Sequence, residues 1–246
     1  VTSTEASMAS DLAKNIVDTY RQRPNVAILM SLGGSNAKNI LEDEEIRDLY
    51  NITTIMTDRS TSGAGDIAAS HGLDLVSAYA SRFHDNEDRR QYFDDLSLVL
   101  GKRGVQVCFY AGFMKITAGR FINRLPGINA HPADLTNTDS YGVPKFRGMD
   151  AINLMRLDTD GMVGTSVHAV DHTVDAGDTF IRSLPFQADK GLSNAECHSL
   201  VKPIEHKVYP LALKMLGRRL LSLEQMPYTF DPSTESLCTI EGEIVQ

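Results

Sequence analysis

The chain is poor in cysteine, short of positive charge and without a long apolar run. Its three cysteines, Cys108, Cys197 and Cys238, lie far apart and form no C-x-x-C pair. Neither a disulfide framework nor a zinc knuckle is expected from them, and a reducing, cytoplasmic compartment is the simplest setting. Lys and Arg total 24 against 32 Asp and Glu, a formal net charge of −8. That balance argues against nucleic acid and acidic membrane as partners, because both call for a basic face. An anionic small molecule in a locally positive pocket stays compatible with it. No stretch approaches the ~20 apolar residues that span a bilayer. Residues 1–25 lack the charged-then-apolar order of a signal peptide. His71, His84, His131, His168, His172, His198 and His206 follow no H-E-x-x-H or other metal-ligand spacing, so no metal is expected.

What is present suits a globular protein: 246 residues, 42% hydrophobic and 23% charged. Leu12, Ile16, Val17 and Tyr20 would share one face of a short N-terminal helix, or belong to a surface extension. Val26–Leu32 is a continuous apolar run, as in a strand buried on both faces. It ends in Gly33-Gly34-Ser35-Asn36, and residues 38–50 read as a helix. Further strands are expected at Ile52–Met56, Leu73–Tyr79, Val105–Tyr110 and ending at Gly127–Asn129, with a helix at Asn86–Gly101. Later, Gly164–Asp171 and Thr179–Phe186 alternate as strands. Ser193–Leu220 reads as a helix opened by a Ser193/Glu196 capping box, which Pro203 should kink or split. The alternation predicts an α/β fold: a largely parallel twisted sheet flanked by helices. Without repeats or linkers, one domain with two lobes is expected. Its parts would be an extension at 1–24, a catalytic unit at 25–220 and a loosely patterned tail at 221–246.

A Gly-Gly-Ser-Asn turn between a strand and a helix can cradle phosphate, since free N–H groups at a helix start point toward an anion. The same turn serves equally as a tight connection with an N-cap. Neither G-x-G-x-x-G nor a P-loop lysine is there to suggest a dinucleotide or a nucleoside triphosphate. A lone histidine after a strand, such as His131, is commonly structural.

Taken in order, however, SLGGSN (Ser31–Asn36), AGFMKIT (Ala111–Thr117), NAHP (Asn129–Pro132), GTSVH (Gly164–His168) and VDAGD (Val174–Asp178) resemble the folate-dependent formyltransferases. VKPIEHKVYPLAL (Val201–Leu213) looks like that family's closing helix. Within the family the match is best to the branch that formylates glycinamide ribonucleotide for purine biosynthesis. The resemblance implies a Rossmann-like formyltransferase fold and 10-formyltetrahydrofolate as co-substrate. It gives Asn129 the role of donor to the oxyanion. His131, when protonated, would donate to the same oxygen. Asp175 would support the charged imidazole, raise its pKa and relay protons. Gly33, Gly34, Ser35 and Asn36 would hold the phosphate of the amine substrate, with Lys202 adding charge and Glu205 accepting from ribose hydroxyls. Met114, Lys115, Ile116 and Thr117 would line one wall of the folate pocket, and His172, Thr173 and Val174 the other.

Several positions depart from the family pattern. Ala133 stands where a serine is usual, and the polar, glycine-containing segment to Gly148 is longer and suits a flexible lid. Met149-Asp150-Ala151 stands in place of His-x-His, and Ala176-Gly177-Asp178 in place of Gly-Gly-Pro. A related formyltransferase with another amine acceptor, a formyltetrahydrofolate hydrolase and a silent folate- or nucleotide-binding protein are the competing expectations. The short stretches outside 25–220 weigh against branches with an extra domain. His168 is expected to pack or hydrogen-bond in its strand, and His206 to be structural. A monomer and a homodimer are both compatible with the sequence.

Overall fold

The computed structural model describes residues 23–80, 82–189, 191–221, 225–239 and 242–245. The expected N-terminal helix around Leu12 and Tyr20 lies outside them. Five strands form a parallel block: β1 (Asn25–Met30), β2 (Asn51–Thr57), β3 (Asp74–Ser77), β4 (Val107–Tyr110) and β5 (Gly127–His131). They are followed by β6 (Met162–Val163), β7 (Ser166–Val170), β8 (Thr179–Ser183), β9 (Phe186–Gln187), β10 (Tyr228–Asp231) and β11 (Ser236–Cys238). Nine strands make one sheet in the order β11-β10-β8-β7-β5-β4-β1-β2-β3, and β6 pairs with β9 apart from it.

β1 is the middle strand of the parallel block, and both of its faces are apolar. Val26, Ile28 and Met30 point into one layer with Ile40, Val208 and Leu213. Ala27 and Leu29 point into the other with Phe93, Leu96 and Phe121. The strand period of two thus feeds two helical layers. α1 (Ser35–Glu42), α2 (Glu44–Leu49), α3 (Ala64–His71) and α7 (Asn194–Gly217) supply the first layer, and α4 (Asn86–Lys102) and α5 (Arg120–Arg124) the second. α6 (Ala151–Asp158) packs against α7 through Ile152, Val201 and Cys197.

From β1 the chain moves outward through β2 to β3, then returns to the other side of β1 as β4 and β5. The order reverses between β1 and β4, and in open α/β sheets the crevice at such a point takes ligands beyond the carboxyl ends of the strands. The Gly33–Asn36 turn leaves β1 there, the Ala111–Thr117 stretch leaves β4, and Asn129 and His131 end β5.

Residues 38–50 are not one helix. Asp43 interrupts them and caps α2, its carboxylate accepting from Ile46 N at 3.1 Å. Nor does Pro203 split α7, which runs for 24 residues with Pro203 and Pro210 inside it. Pro210 has no N–H for the carbonyl of His206, one turn earlier. Asn39 replaces it, donating from Nδ2 to that oxygen at 2.6 Å. The residues expected as a loose C-terminal tail contribute β10 and β11, and Tyr228, Phe230 and Leu237 enter the main core. No helix among the described residues is long and apolar enough to cross a membrane.

Candidate active site

Asn129 and His131, two apart on β5, share a face of the sheet. β7 runs antiparallel beside them and sets His168 opposite Asn129. Asp175 comes from the β7–β8 connection, where its φ of 49° lies in the left-handed region that Asp tolerates better than most side chains. That connection folds closely onto β7. A Cβ on Gly177 would stand 2.0 Å from the carbonyl oxygen of Ala169, which is why this turn holds a glycine.

The Asp175 carboxylate meets both histidines. Its Oδ2 is 3.5 Å from Nδ1 of His131 and its Oδ1 is 3.7 Å from Nε2 of His168. Oδ2 also accepts from the backbone N–H of Gly148 at 2.8 Å. His131 is 4% exposed, and its Nε2 is 2.8 Å from the carbonyl oxygen of Phe146. A carbonyl only accepts, so Nε2 carries the proton and Nδ1 faces Asp175.

Asp175 pulls the His131 pKa up as expected, but it does not set the balance. Burial pushes the His131 pKa below its ordinary 6.5, outweighing the upward pull of Asp175 and of the Phe146 carbonyl, so the ring is neutral at neutral pH. And Nε2–H is directed to Phe146 rather than held ready for a substrate oxygen. The segment Ala133–Gly148 is not a free lid either. Ala133, Leu135 and Phe146 are buried, Leu135 N donates to Ser166 Oγ at 3.1 Å, and Arg182 reaches Asp134 at 2.7 Å. Only its turn stands out, with Tyr141 89% exposed.

At the end of β1, Gly34 adopts φ 74°, and no side chain caps α1. The first N–H groups of that helix are thereby left for an anion. α7 passes alongside. Asn36 Nδ2 donates to Glu205 Oε1 at 2.6 Å, while the buried Asn36 Oδ1 has no hydrogen-bond partner among the described residues. Burial raises the Glu205 pKa, against the Asn36 hydrogen bond and the charge of Lys202. Lys202 is exposed on the same helix. His206, expected to be structural, stands with Nε2 3.3 Å from Ser35 Oγ; burial and Lys202 both lower its pKa. The signal that could have found it is its place beside Glu205 on one helix. A cavity of about 430 Å³ behind this loop is bounded by Asn39, His206, Pro210 and the β10–β11 hairpin, away from Asp175.

Met114 is tied to the end of β1: its N–H donates to Ser31 Oγ at 2.8 Å, and Ser31 donates in turn to Asp58 at 2.6 Å. Lys115 Nζ lies 3.7 Å from Asp58 and 4.9 Å from the centre of the Phe83 ring. Ile116 is exposed and Thr117 buried. Across the sheet, His172 and Thr173 are exposed, and His172 Nε2 is 3.0 Å from Asn123 Oδ1 on α5. The Val174 carbonyl accepts from Arg147 at 3.4 Å. Among the described residues no group of His, Cys, Asp and Glu is placed to hold a metal.

An amide, an imidazole and a carboxylate thus gather at the end of a parallel strand, on a sheet whose first loop leads into a helix start without a side-chain cap. Residues 24–213 match the Formyl transferase family, and the chain belongs to it. It is 27% identical over 208 residues to the human trifunctional purine biosynthetic protein adenosine-3, covering 82% of this chain and 19% of that protein. The chain thus spans about a fifth of such trifunctional relatives. It is 24% identical over 205 residues to the phosphoribosylglycinamide formyltransferase of Escherichia coli K12, covering 82% of this chain and 91% of that one. The fold is similar to the crystal structure of glycinamide ribonucleotide transformylase 1 from Symbiobacterium toebii, with TM-score 0.67 at 21% identity over 80% of this chain and 88% of that one.

Proposed function

We propose that this chain transfers a formyl group from 10-formyltetrahydrofolate, its co-substrate, to the amine of glycinamide ribonucleotide in purine biosynthesis. The observation that carries the reading is the cluster of Asn129, His131 and Asp175 at the end of β5, in a chain of the formyl transferase family. The names of the human and E. coli relatives support the acceptor and the pathway. The scheme needs no metal. The enzyme would work in the cytoplasm on small molecules alone.

The neutral amine attacks the formyl carbon, and the carbonyl electron pair moves onto oxygen. Asn129 would donate to that oxygen from Nδ2. The proton released by the amine passes through water to Nδ1 of the neutral His131, and Asp175 stabilises the imidazolium that forms. A proton reaches the folate nitrogen as its bond to the formyl carbon breaks. Backbone N–H groups of Gly33–Asn36 and the side chains of Ser35 and Asn36, with Lys202, would hold the phosphate, and Glu205 would accept from the ribose hydroxyls. Met114–Thr117 and His172–Val174 would line the folate. Incubating the protein with a 10-formyl folate analogue and glycinamide ribonucleotide should release deformylated folate only when both are present. Release without the acceptor would mean hydrolysis, and no release with it would overturn the reading.

A second reading, an amino sugar or a specialised metabolite as the amine acceptor, draws on one observation. The segment that departs from the family pattern ends in Phe146 and Gly148, which hydrogen-bond to His131 and Asp175 beside the reacting centre. Ser35→Ala combined with Asn36→Ala separates the two readings. The ribonucleotide assignment expects acceptor affinity to fall at least ~10-fold, the loss of one or more phosphate contacts; unchanged affinity would favour the other amine.

A further inference from the structure

His168 is 2% exposed, and no step above uses it. It sits directly opposite Asn129 across the β5–β7 ladder. Its Nδ1 lies 2.8 Å from the carbonyl oxygen of Ala169, an atom that can only accept, so Nδ1 carries a proton. Its Nε2 lies 3.1 Å from Asn129 Nδ2. In the neutral ring Nε2 holds a lone pair, and at hydrogen-bond distance only a donor can face it; Asp175 Oδ1, at 3.7 Å, stands beyond that distance. The two ends of a carboxamide have almost the same shape, so its surroundings must choose which end points where. Here the lone pair on His168 selects the NH₂ end. One N–H is taken up by the imidazole and the second is left for another acceptor. A protonated His168 would demand the amide oxygen instead and turn the donor away. Burial keeps the ring neutral, lowering its pKa from 6.5 to about 4 against the pull of Asp175; His131, its ring centre 6.2 Å away, adds to the lowering.

We propose that His168 is a positioning residue: as the neutral Nδ1–H tautomer it accepts from Asn129 and thereby aims the second amide N–H at the reacting formyl oxygen. The proposal rests on the reading of Asn129 as the oxyanion donor, and its first test is independent of turnover. ¹⁵N-imidazole NMR of the whole chain at pH 7 should show a proton-bearing Nδ1 and a proton-free Nε2 at His168. The Nε2 signal should move in Asn129→Leu as its donor is lost. A proton on Nε2, or an imidazolium, overturns the proposal even if formyl transfer is confirmed.

Kinetics supply the second test. His168→Leu should lower kcat by about 10-fold or more with both KM values near wild type, because a transition-state contact is misdirected. His168→Gln, whose amide oxygen can accept from Asn129, should recover most of that loss. A Leu variant with wild-type kcat, or Gln and Leu variants impaired alike, would mean that His168 only fills space. Should the Leu variant fail to fold, the NMR tautomer and the Gln variant still decide the matter.

Discussion

At His131, burial and a neighbouring carboxylate pull in opposite directions, and burial prevails. In the proposed mechanism this makes His131 a base rather than an acid: a neutral ring with its proton on Nε2 and a lone pair on Nδ1. His131→Ala should lower turnover by ~10²-fold or more while folate affinity stays near wild type, the usual worth of a positioned acid–base group. The acid limb of kcat/KM should fall below pH 6.5, and it belongs to the His131–Asp175 pair rather than to either residue. A limb above that value would mean that the carboxylate, not burial, governs the ring. Gly177 is constrained just as tightly. Gly177→Ala would drive a Cβ into a backbone carbonyl that cannot swing aside, two residues from Asp175. It should cost about 3 kcal/mol or more in urea unfolding; an unchanged midpoint would refute the close approach. The residue types of the trio were legible in the sequence because each sits in a short motif. The direction of the His131 pKa was not, since it depends on how deeply residues from β7, the Phe146 segment and α7 bury the ring. Nor was the contact of His206 with Ser35, between residues 171 apart in sequence.

Among the elements, α7 shows how a rule of local structure can be overridden by a distant side chain. Two prolines should break a helix, yet this one is continuous. The vacancy at the His206 carbonyl is filled by Asn39 of α1, which also fixes α7 beside the Gly33–Asn36 turn. Asn39→Ala should therefore cost about 1–3 kcal/mol, the penalty of a carbonyl left without its donor. In a Pro210→Ala background the new backbone N–H supplies that donor, and the same substitution should cost much less. Equal costs in the two backgrounds, read from unfolding midpoints, would show that Asn39 does not stand in for the missing N–H. In the parallel block β1 and β4 were legible from their apolar runs, and β2, β3 and β5 from short apolar stretches mixed with polar residues. α6 was not read from the sequence, although Ala151, Ile152 and Met155 mark a buried stripe along it. It is short, and its pattern becomes decisive only once α7 lies against it. β10 and β11 escaped for a related reason: each has only a few apolar residues, and Tyr228, Phe230 and Leu237 acquire meaning from the sheet edge they extend.

For the molecule as a whole, the acidic balance and the buried imidazoles act oppositely as pH falls. Toward the isoelectric point of about 5.3 the net charge of −8 is titrated away and surface repulsion relaxes, a weak effect for screened, exposed charges. Desolvation lowers the pKa values of the buried His131 and His168, the half-buried His206 and the exposed His198 below the 6.5 they have when unfolded. Below pH 6.5 the unfolded chain therefore binds more protons than the folded one, so stability falls as pH falls. For His168 the fall extends from 6.5 to about 4 and amounts to on the order of 3 kcal/mol. Glu205 and Asp171 work the other way, since their raised pKa values let the folded state take up protons before the unfolded one as pH falls. Two fully buried imidazoles, His131 and His168, against two carboxyls that are only partly buried should leave the histidines in control. Urea midpoints measured from pH 8 to pH 5 should thus decline below about 6.5, and His168→Gln should flatten that decline by removing the most strongly shifted of the four. If the wild-type midpoint held steady or rose on acidification, or if the Gln variant kept the full wild-type slope, then His168 is not buried as a neutral ring. The orientation it imposes on Asn129 would fall with it.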